Sequence, residues 1–156
     1  MRVPNLLAWS FFLLLGLGAG CDSPSSGPAV SGTVTLHADD GVDLHSGKVQ
    51  TPGNFKNSDL YASSNGSSLE LASGGATPTQ NRPVNWFVTP GGVNETFESL
   101  AAVPDDLPSG TSGTPLVHAK TGNGFVVERK DGGYSKGWVK AADATSVTIE
   151  FAPLAE

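Results

Sequence analysis

The stretch Gly124-Phe125-Val126-Val127-Glu128-Arg129-Lys130-Asp131-Gly132-Gly133-Tyr134-Ser135-Lys136-Gly137-Trp138-Val139-Lys140-Ala141 decides the fold, together with Thr145-Ser146-Val147-Thr148-Ile149-Glu150-Phe151. In the second segment Val147, Ile149 and Phe151 alternate with Ser146, Thr148 and Glu150. Successive strand side chains point to opposite faces, so this pattern describes a half-buried strand. Phe125 and Val127 alternate with Val126 and Glu128 in the same sense. Between the apolar runs, Asp131-Gly132-Gly133 supplies the positive-φ positions that a tight reversal demands. The sequence therefore predicts a hairpin over 124–141, continued antiparallel by 145–151.

The rest of the chain has the same texture. Val34 and Leu36 alternate with Thr33, Thr35 and His37, marking a first strand. Further short segments lie at 30–37, 42–49, 59–63, 67–73, 84–89 and 114–120, and most are separated by Gly, Pro or Asn/Asp turns. The chain holds 20 Gly and 11 Pro in 156 residues, and no long 3.6-residue apolar period follows Cys21. Short strands with frequent turns predict an all-β fold, an antiparallel β-sandwich or small barrel. One short helix is expected near 94–102, where Phe97, Leu100 and Ala101 follow a helical spacing. Asn94 would cap it without a capping box, and Pro104 would stop it. Segments 74–83 and 104–113 read as surface loops.

The start of the chain is of a different kind. Arg2 is followed by the apolar run Leu6–Leu17 (LLAWSFFLLLGL), shorter than the roughly 20 residues of a spanning helix and in the range of a signal-peptide core. Gly18, Ala19 and Gly20 give small residues at a processing site, and Cys21, the only cysteine, comes next. No intramolecular disulfide is available to such a chain. The sequence Leu17-Gly18-Ala19-Gly20-Cys21 resembles the bacterial lipobox, with Gly18 where Leu is usual. That resemblance implies diacylglycerol on the Cys21 sulfur, cleavage before it, and a lipid anchor in the bacterial cell envelope. Asp22 resembles the inner-membrane retention signal of enteric lipoproteins, and the choice between inner and outer membrane stays open. The expected organisation is a signal peptide over 1–20, an acylated cysteine and flexible Ser/Pro/Gly tether over 21–30, and one β domain over 31–156.

Cleavage before Cys21 would leave 136 residues with 8 basic and 15 acidic side chains, a formal charge of −7. That balance argues against nucleic acid, which demands clustered Lys and Arg. It argues equally against adhesion to anionic lipid, so the acyl group would do the anchoring.

Motifs for catalysis are weak. Gly110-Thr111-Ser112-Gly113 is not Gly-x-Ser-x-Gly. Lys120-Thr121-Gly122 matches one short motif of the penicillin-binding enzymes, but their Ser-x-x-Lys and Ser-Asp-Asn are absent, and the triplet reads as a turn. Among His37, His45 and His118, no local arrangement suggests a triad. His37, Asp39, Asp43 and His45 offer nitrogen and oxygen donors suited to a divalent metal. The simpler reading is an acidic hairpin turn at Ala38–Gly41, bent at Gly41, with solvent-facing histidines. Asn65-Gly66-Ser67 and Asn94-Glu95-Thr96 match the glycosylation pattern, and they read as turn and cap chemistry.

Aromatic residues carry the better binding clue. Adjacent Trp86 and Phe87 must face opposite ways in a strand. Tyr134 and Trp138 share parity with Lys136 and Lys140, whereas Ser135, Gly137, Val139 and Ala141 share the other face. Tyr134 and Trp138 are expected in the core; the alternative is an amphipathic outer patch of all four side chains, able to hold a glycan or another envelope protein.

The hairpin and final strand, about 28 residues, also resemble small β-rich bacterial lipoproteins, including those related to the HmuY haem-binding group. There an aromatic residue follows the Gly turn, as Tyr134 does, and a lysine comes two places on, as Lys136 does. Haem-ligand histidines have no matching positions here, so no cofactor is implied. The resulting expectation is a non-enzymatic binding or structural lipoprotein. A small-ligand or metal carrier using the 37–45 region is the alternative, and an envelope hydrolase the distant one.

Overall fold

The computed structural model describes residues 27–52, 57–77, 80–81, 84–88, 96–103 and 117–155. The signal-like run, Cys21, the cap Asn94 and the 104–113 loop lie outside these residues. The described elements are twelve strands: β1 (Gly32–His37), β2 (Gly41–Asp43), β3 (Lys48–Gln50), β4 (Leu60–Ser64), β5 (Leu69–Ser73), β6 (Gly75–Thr77), β7 (Gln80–Asn81), β8 (Val84–Val88), β9 (Val117–His118), β10 (Asn123–Glu128), β11 (Tyr134–Ala142) and β12 (Ser146–Leu154). They form two five-stranded antiparallel sheets, ordered β1-β12-β11-β10-β8 and β3-β2-β4-β5-β9, and a small β6-β7 ribbon. The sheets pack face to face through one apolar cluster, so the all-β expectation holds and takes the form of a sandwich.

The C-terminal meander is the backbone of the first sheet. β10 and β11 join through a tight turn with Gly132 at φ 88°, as the Asp-Gly-Gly signal predicted. β12 returns along β11 and then pairs with β1 from Gly32↔Phe151 to His37↔Ser146. The alternation in β12 is realised: Val147, Ile149 and Phe151 are buried and Ser146, Thr148 and Glu150 are half-buried. These three meet Leu36, Phe125, Val127 and Val139 from the same sheet, and Val42, Leu60, Ala62, Leu69 and Leu71 from the opposite one. Fully burying each Leu, Ile, Val or Phe contributes about 1.5–3 kcal/mol, which makes this the principal favourable term.

The second sheet departs from the expected boundaries. The segment expected as one strand over 42–49 is two, β2 and β3, paired antiparallel around the loop 44–47. Asp43 turns this loop by accepting hydrogen bonds from the backbone N–H of His45 (2.9 Å) and Ser46 (3.1 Å), and Gly47 provides φ 71°. Ala38–Gly41 is not a hairpin turn either. It carries the chain from the first sheet to the second, and its positive φ (68°) falls on Asp39 rather than Gly41. Asn65 does close a tight turn between β4 and β5, its side-chain oxygen accepting from the N–H groups of Ser67 and Ser68. The 74–83 segment expected as loop contributes the β6-β7 ribbon.

The helix expected near 94–102 is a single turn in the described part. Ser99 and Leu100 donate back to the Thr96 carbonyl at 3.1 and 3.3 Å. Thr96 and Ser99 cap each other, Thr96 N–H to Ser99 Oγ (2.8 Å) and Ser99 N–H to Thr96 Oγ1 (3.3 Å). This reciprocal box begins two residues after the expected cap. One turn satisfies few backbone groups, so the segment depends on packing rather than on helix propagation. It lies over the outer face of the first sheet, where Leu100 is buried.

Candidate functional site

Around His37–His45 the candidate side chains part company. His37 is largely exposed, and its Nδ1 is 3.4 Å from Asp40 Oδ2. Asp40 is buried and also accepts from the His37 N–H at 2.8 Å. Burial raises its carboxyl, but the His37 backbone bond and neighbouring hydrogen bonds outweigh this and hold it below the ordinary 3.8. Asp39 faces Tyr61, whose hydroxyl donates to Asp39 Oδ1 at 3.3 Å. Asp43 turns instead to the 44–47 loop, and the His45 ring to Asp131. Among the described residues, no group of three or more His, Cys, Asp or Glu side chains gathers to hold a metal ion. The geometry thus separates the four residues that a carrier would have to bring together.

The Tyr134/Lys136/Trp138/Lys140 face corrects the expectation of core placement. Ser135, Gly137 and Val139 are the buried residues of β11, and Tyr134, Lys136 and Trp138 are half-buried on the opposite, outer face. The reason is a pair of large-against-small contacts across β10 and β11. Phe125 pairs with Gly137 on the inner face, and Trp138 pairs with Gly124 on the outer one. A Cβ on Gly137 would overlap the Phe125 ring, and one on Gly124 would lie 2.6 Å from Trp138 Cζ3. Each glycine leaves the room that the facing ring fills, so the larger ring is not needed in the core.

The outer patch is partly covered by the chain itself. Lys136 Nζ donates to the Phe97 carbonyl at 2.6 Å and stands 4.5 Å from the Phe97 ring centroid, a cation–π geometry. Leu100 Cδ1 approaches the same glycine that Trp138 covers. Lys140 is exposed and pairs with Glu150 at 3.0 Å, a surface contact worth at most about 1 kcal/mol. Three of the four residues therefore hold the 96–103 segment or the sheet surface.

A polar node at one end of the sandwich was not evident in the sequence. Asp59, fully buried just ahead of β4, accepts from Leu44 N–H and Lys130 N–H, both at 2.7 Å. One carboxylate thereby joins the β2–β3 loop to the β10–β11 turn. Lys130 Nζ reaches Asp43 Oδ2 at 2.5 Å and the Asn57 carbonyl at 3.1 Å. Arg129, buried, binds Asp131 through Nε at 3.1 Å, Ser135 Oγ at 3.1 Å, and the Tyr134 carbonyl. Burial raises the Asp43 and Asp131 carboxyls. Lys130 and the Ser46 N–H reverse this for Asp43, while the Gly133 N–H and His45 reverse it for Asp131, so both lie below the ordinary 3.8. These charges satisfy one another and fix loops, which is a structural task.

His45 occupies the centre of that node. Its Nδ1 is 2.5 Å from Asp131 Oδ2 and its Nε2 is 2.8 Å from the Gly27 carbonyl. The His45 carbonyl accepts from Val30 N–H at 3.0 Å. The sequence predicts a solvent-facing histidine here, with a metal ligand as the alternative. Instead the His45 side chain is only 12% exposed and marks the place where the segment ahead of β1 is fastened to the domain. Nothing local signals this, because the partners come from positions 27, 30 and 131. The Lys120-Thr121-Gly122 triplet is a turn, with Gly122 at φ 92° and Asn123 N–H donating to the Lys120 carbonyl. β8 sets Trp86 opposite Phe125 and Phe87 opposite Gly124.

Comparison with protein families, with curated proteins and with solved structures found no match to this chain.

Proposed function

We propose that the protein is a lipid-anchored lipoprotein of the bacterial cell envelope whose β-sandwich acts as a non-enzymatic binding or structural module. The observation that carries this reading is Cys21, placed directly after the apolar run 6–17 and the small residues Gly18-Ala19-Gly20. Anchoring through an acyl chain suits a domain of net negative charge, which has no electrostatic attraction to anionic lipid. A non-enzymatic role is supported by the way the charged side chains are engaged. Asp43, Arg129, Lys130 and Asp131 are spent on loop closure, and His37 and His45 each face a separate carboxylate.

Mass analysis of the amino-terminal peptide from membrane-purified protein tests the anchor. A peptide beginning at Cys21 and carrying diacylglycerol is the expected product. A free Cys21 thiol, or an intact 1–20 segment, would overturn it. Affinity capture from envelope extract with the acylated protein then tests the binding role, with another envelope protein or a glycan as the expected partner.

A further inference from the structure

Gly27 and Val30, ahead of β1, are held against the domain, and the orientation that follows from this rests on the acylation of Cys21 proposed above. Cys21 stands six peptide steps before Gly27. Fully extended, six residues reach about 20 Å. At Gly27 the chain is already held, by His45 Nε2 on the Gly27 carbonyl, and three residues later by Val30 N–H on the His45 carbonyl. The ring making the first contact has a side chain only 12% exposed and is braced on its other nitrogen by Asp131. Without the His45 ring the first held residue would be Val30, whose N–H bonds the His45 backbone carbonyl, and the free reach would grow to about 30 Å.

All elements at the fastening belong to one end of the sandwich. The 44–47 loop, the 129–133 turn and Asp59 are bound together there, and β1 begins there. The strands then carry the chain to the other end. There the 38–40 crossing, the Asn65–Ser68 turn and the 143–145 turn lie beyond β1, β4 and β11. From the fastened end to the other, β1 and β4 span about 20 Å and β11 about 30 Å. The far end therefore lies at the full reach of the fastened tether along β1 and β4, and beyond it along β11.

We infer that His45 latches the tether so that the 44–47 and 129–133 end faces the lipid bilayer, while the end bearing Asp39, Asn65 and Asp143 is presented away from it. The partner of the near end is the bilayer surface that carries the Cys21 lipid. The far end is the surface open to other molecules.

Purified acylated protein in phosphatidylcholine vesicles bearing a headgroup-attached nitroxide quencher tests this. Because acylation consumes the only native thiol, Ser46→Cys and Ala144→Cys each give a single labelling position, and both native residues are exposed. A fluorophore at position 46 should be quenched at least twofold more than one at position 144. Adding His45→Ala should lower that ratio, with the thermal transition retained, because the tether is then held only from Val30. Equal quenching at both positions in a chain whose mass includes the acyl group would overturn the orientation and leave the anchor intact. A chain that binds vesicles with the 144 label quenched more would overturn it as well. A chain whose mass lacks the acyl group would overturn the anchor proposal and, with its premise gone, the orientation too.

Discussion

The Phe125 ring fills the space above Gly137, its partner across the β10–β11 ladder, and Trp138 does the same for Gly124 on the other face. Two adjacent registers thus hold aromatic–glycine pairs with opposite orientation. A third pair, Phe151 over Gly32, brings ring carbons to 3.3 Å from where a Cβ would lie. A glycine in a strand weakens it unless something covers the exposed backbone, and a facing aromatic ring supplies that cover.

Gly137→Ala should therefore destabilise the domain although alanine is the smaller change on paper. The added methyl meets a fully buried ring that is locked between two sheets, and overpacking of this kind costs about 1–3 kcal/mol. Urea unfolding should give a lower midpoint at unchanged slope. A midpoint equal to that of the native chain would remove the close packing of Phe125 on Gly137.

Truncating the two rings should separate the faces. Phe125→Ala empties the core and should cost about 3–5 kcal/mol. Trp138 is half-buried, so Trp138→Ala should lose about 2 kcal/mol, near half the value of a fully buried Trp. Denaturant titration of both variants measures the difference. Equal losses would put Trp138 in the core after all, and a loss within about 0.5 kcal/mol would make it a free surface ring.

Which residues form the sheet was legible, and which face they present was not. Period-two alternation in 146–151 and the Asp131-Gly132-Gly133 turn gave the meander, although its last strand runs three residues further than expected, to Leu154. Parity placed Tyr134 with Trp138 correctly, but it says nothing about which parity is inward. That choice depended on Gly137 and Ser135, small residues that looked like surface positions until Phe125 was set opposite them. The 42–49 segment misled for a related reason. It reads as one short strand, whereas Asp43 bonding two backbone N–H groups turns the chain back on itself. The node around Asp59 and His45 joins positions far apart in sequence, and no local pattern encodes such a pairing.

Asp59→Asn should be costly for its size. The carboxylate accepts from two backbone N–H groups in a fully buried position, and an amide offers only one acceptor oxygen. Hydrogen bonds to a buried charged group contribute about 1.5–3 kcal/mol, and a loss in that range is expected. Asp43→Asn, by contrast, weakens a partly exposed pair and should cost no more than about 1 kcal/mol. Amide exchange at Leu44 and Lys130 should accelerate only in the Asp59 variant. Unchanged exchange at both amides would contradict the clamp.

The acid limb of stability should begin low. Asp143 accepts from Thr145 N–H and hydroxyl and from Ser146 N–H, which bring its pKa from 3.8 to about 2. Asp43 and Asp131 are also lowered. A depressed folded-state pKa gives stability that is present above the unfolded value and lost as pH falls through the folded one. The domain should hold its thermal midpoint down to about pH 4 and lose it between about pH 4 and 2. Carbon-13 titration of Asp143 should report a midpoint near 2. A midpoint at or above 3.8 would contradict the turn geometry.

The most direct test of the account is metabolic labelling with palmitate in a bacterial host, comparing the native chain with Cys21→Ser. Only the native chain should take up label and sediment with membranes, and the variant should be unlabelled, with its sandwich intact by circular dichroism. Equal labelling of the two, or an unlabelled native chain, would contradict the anchor on which the functional reading stands.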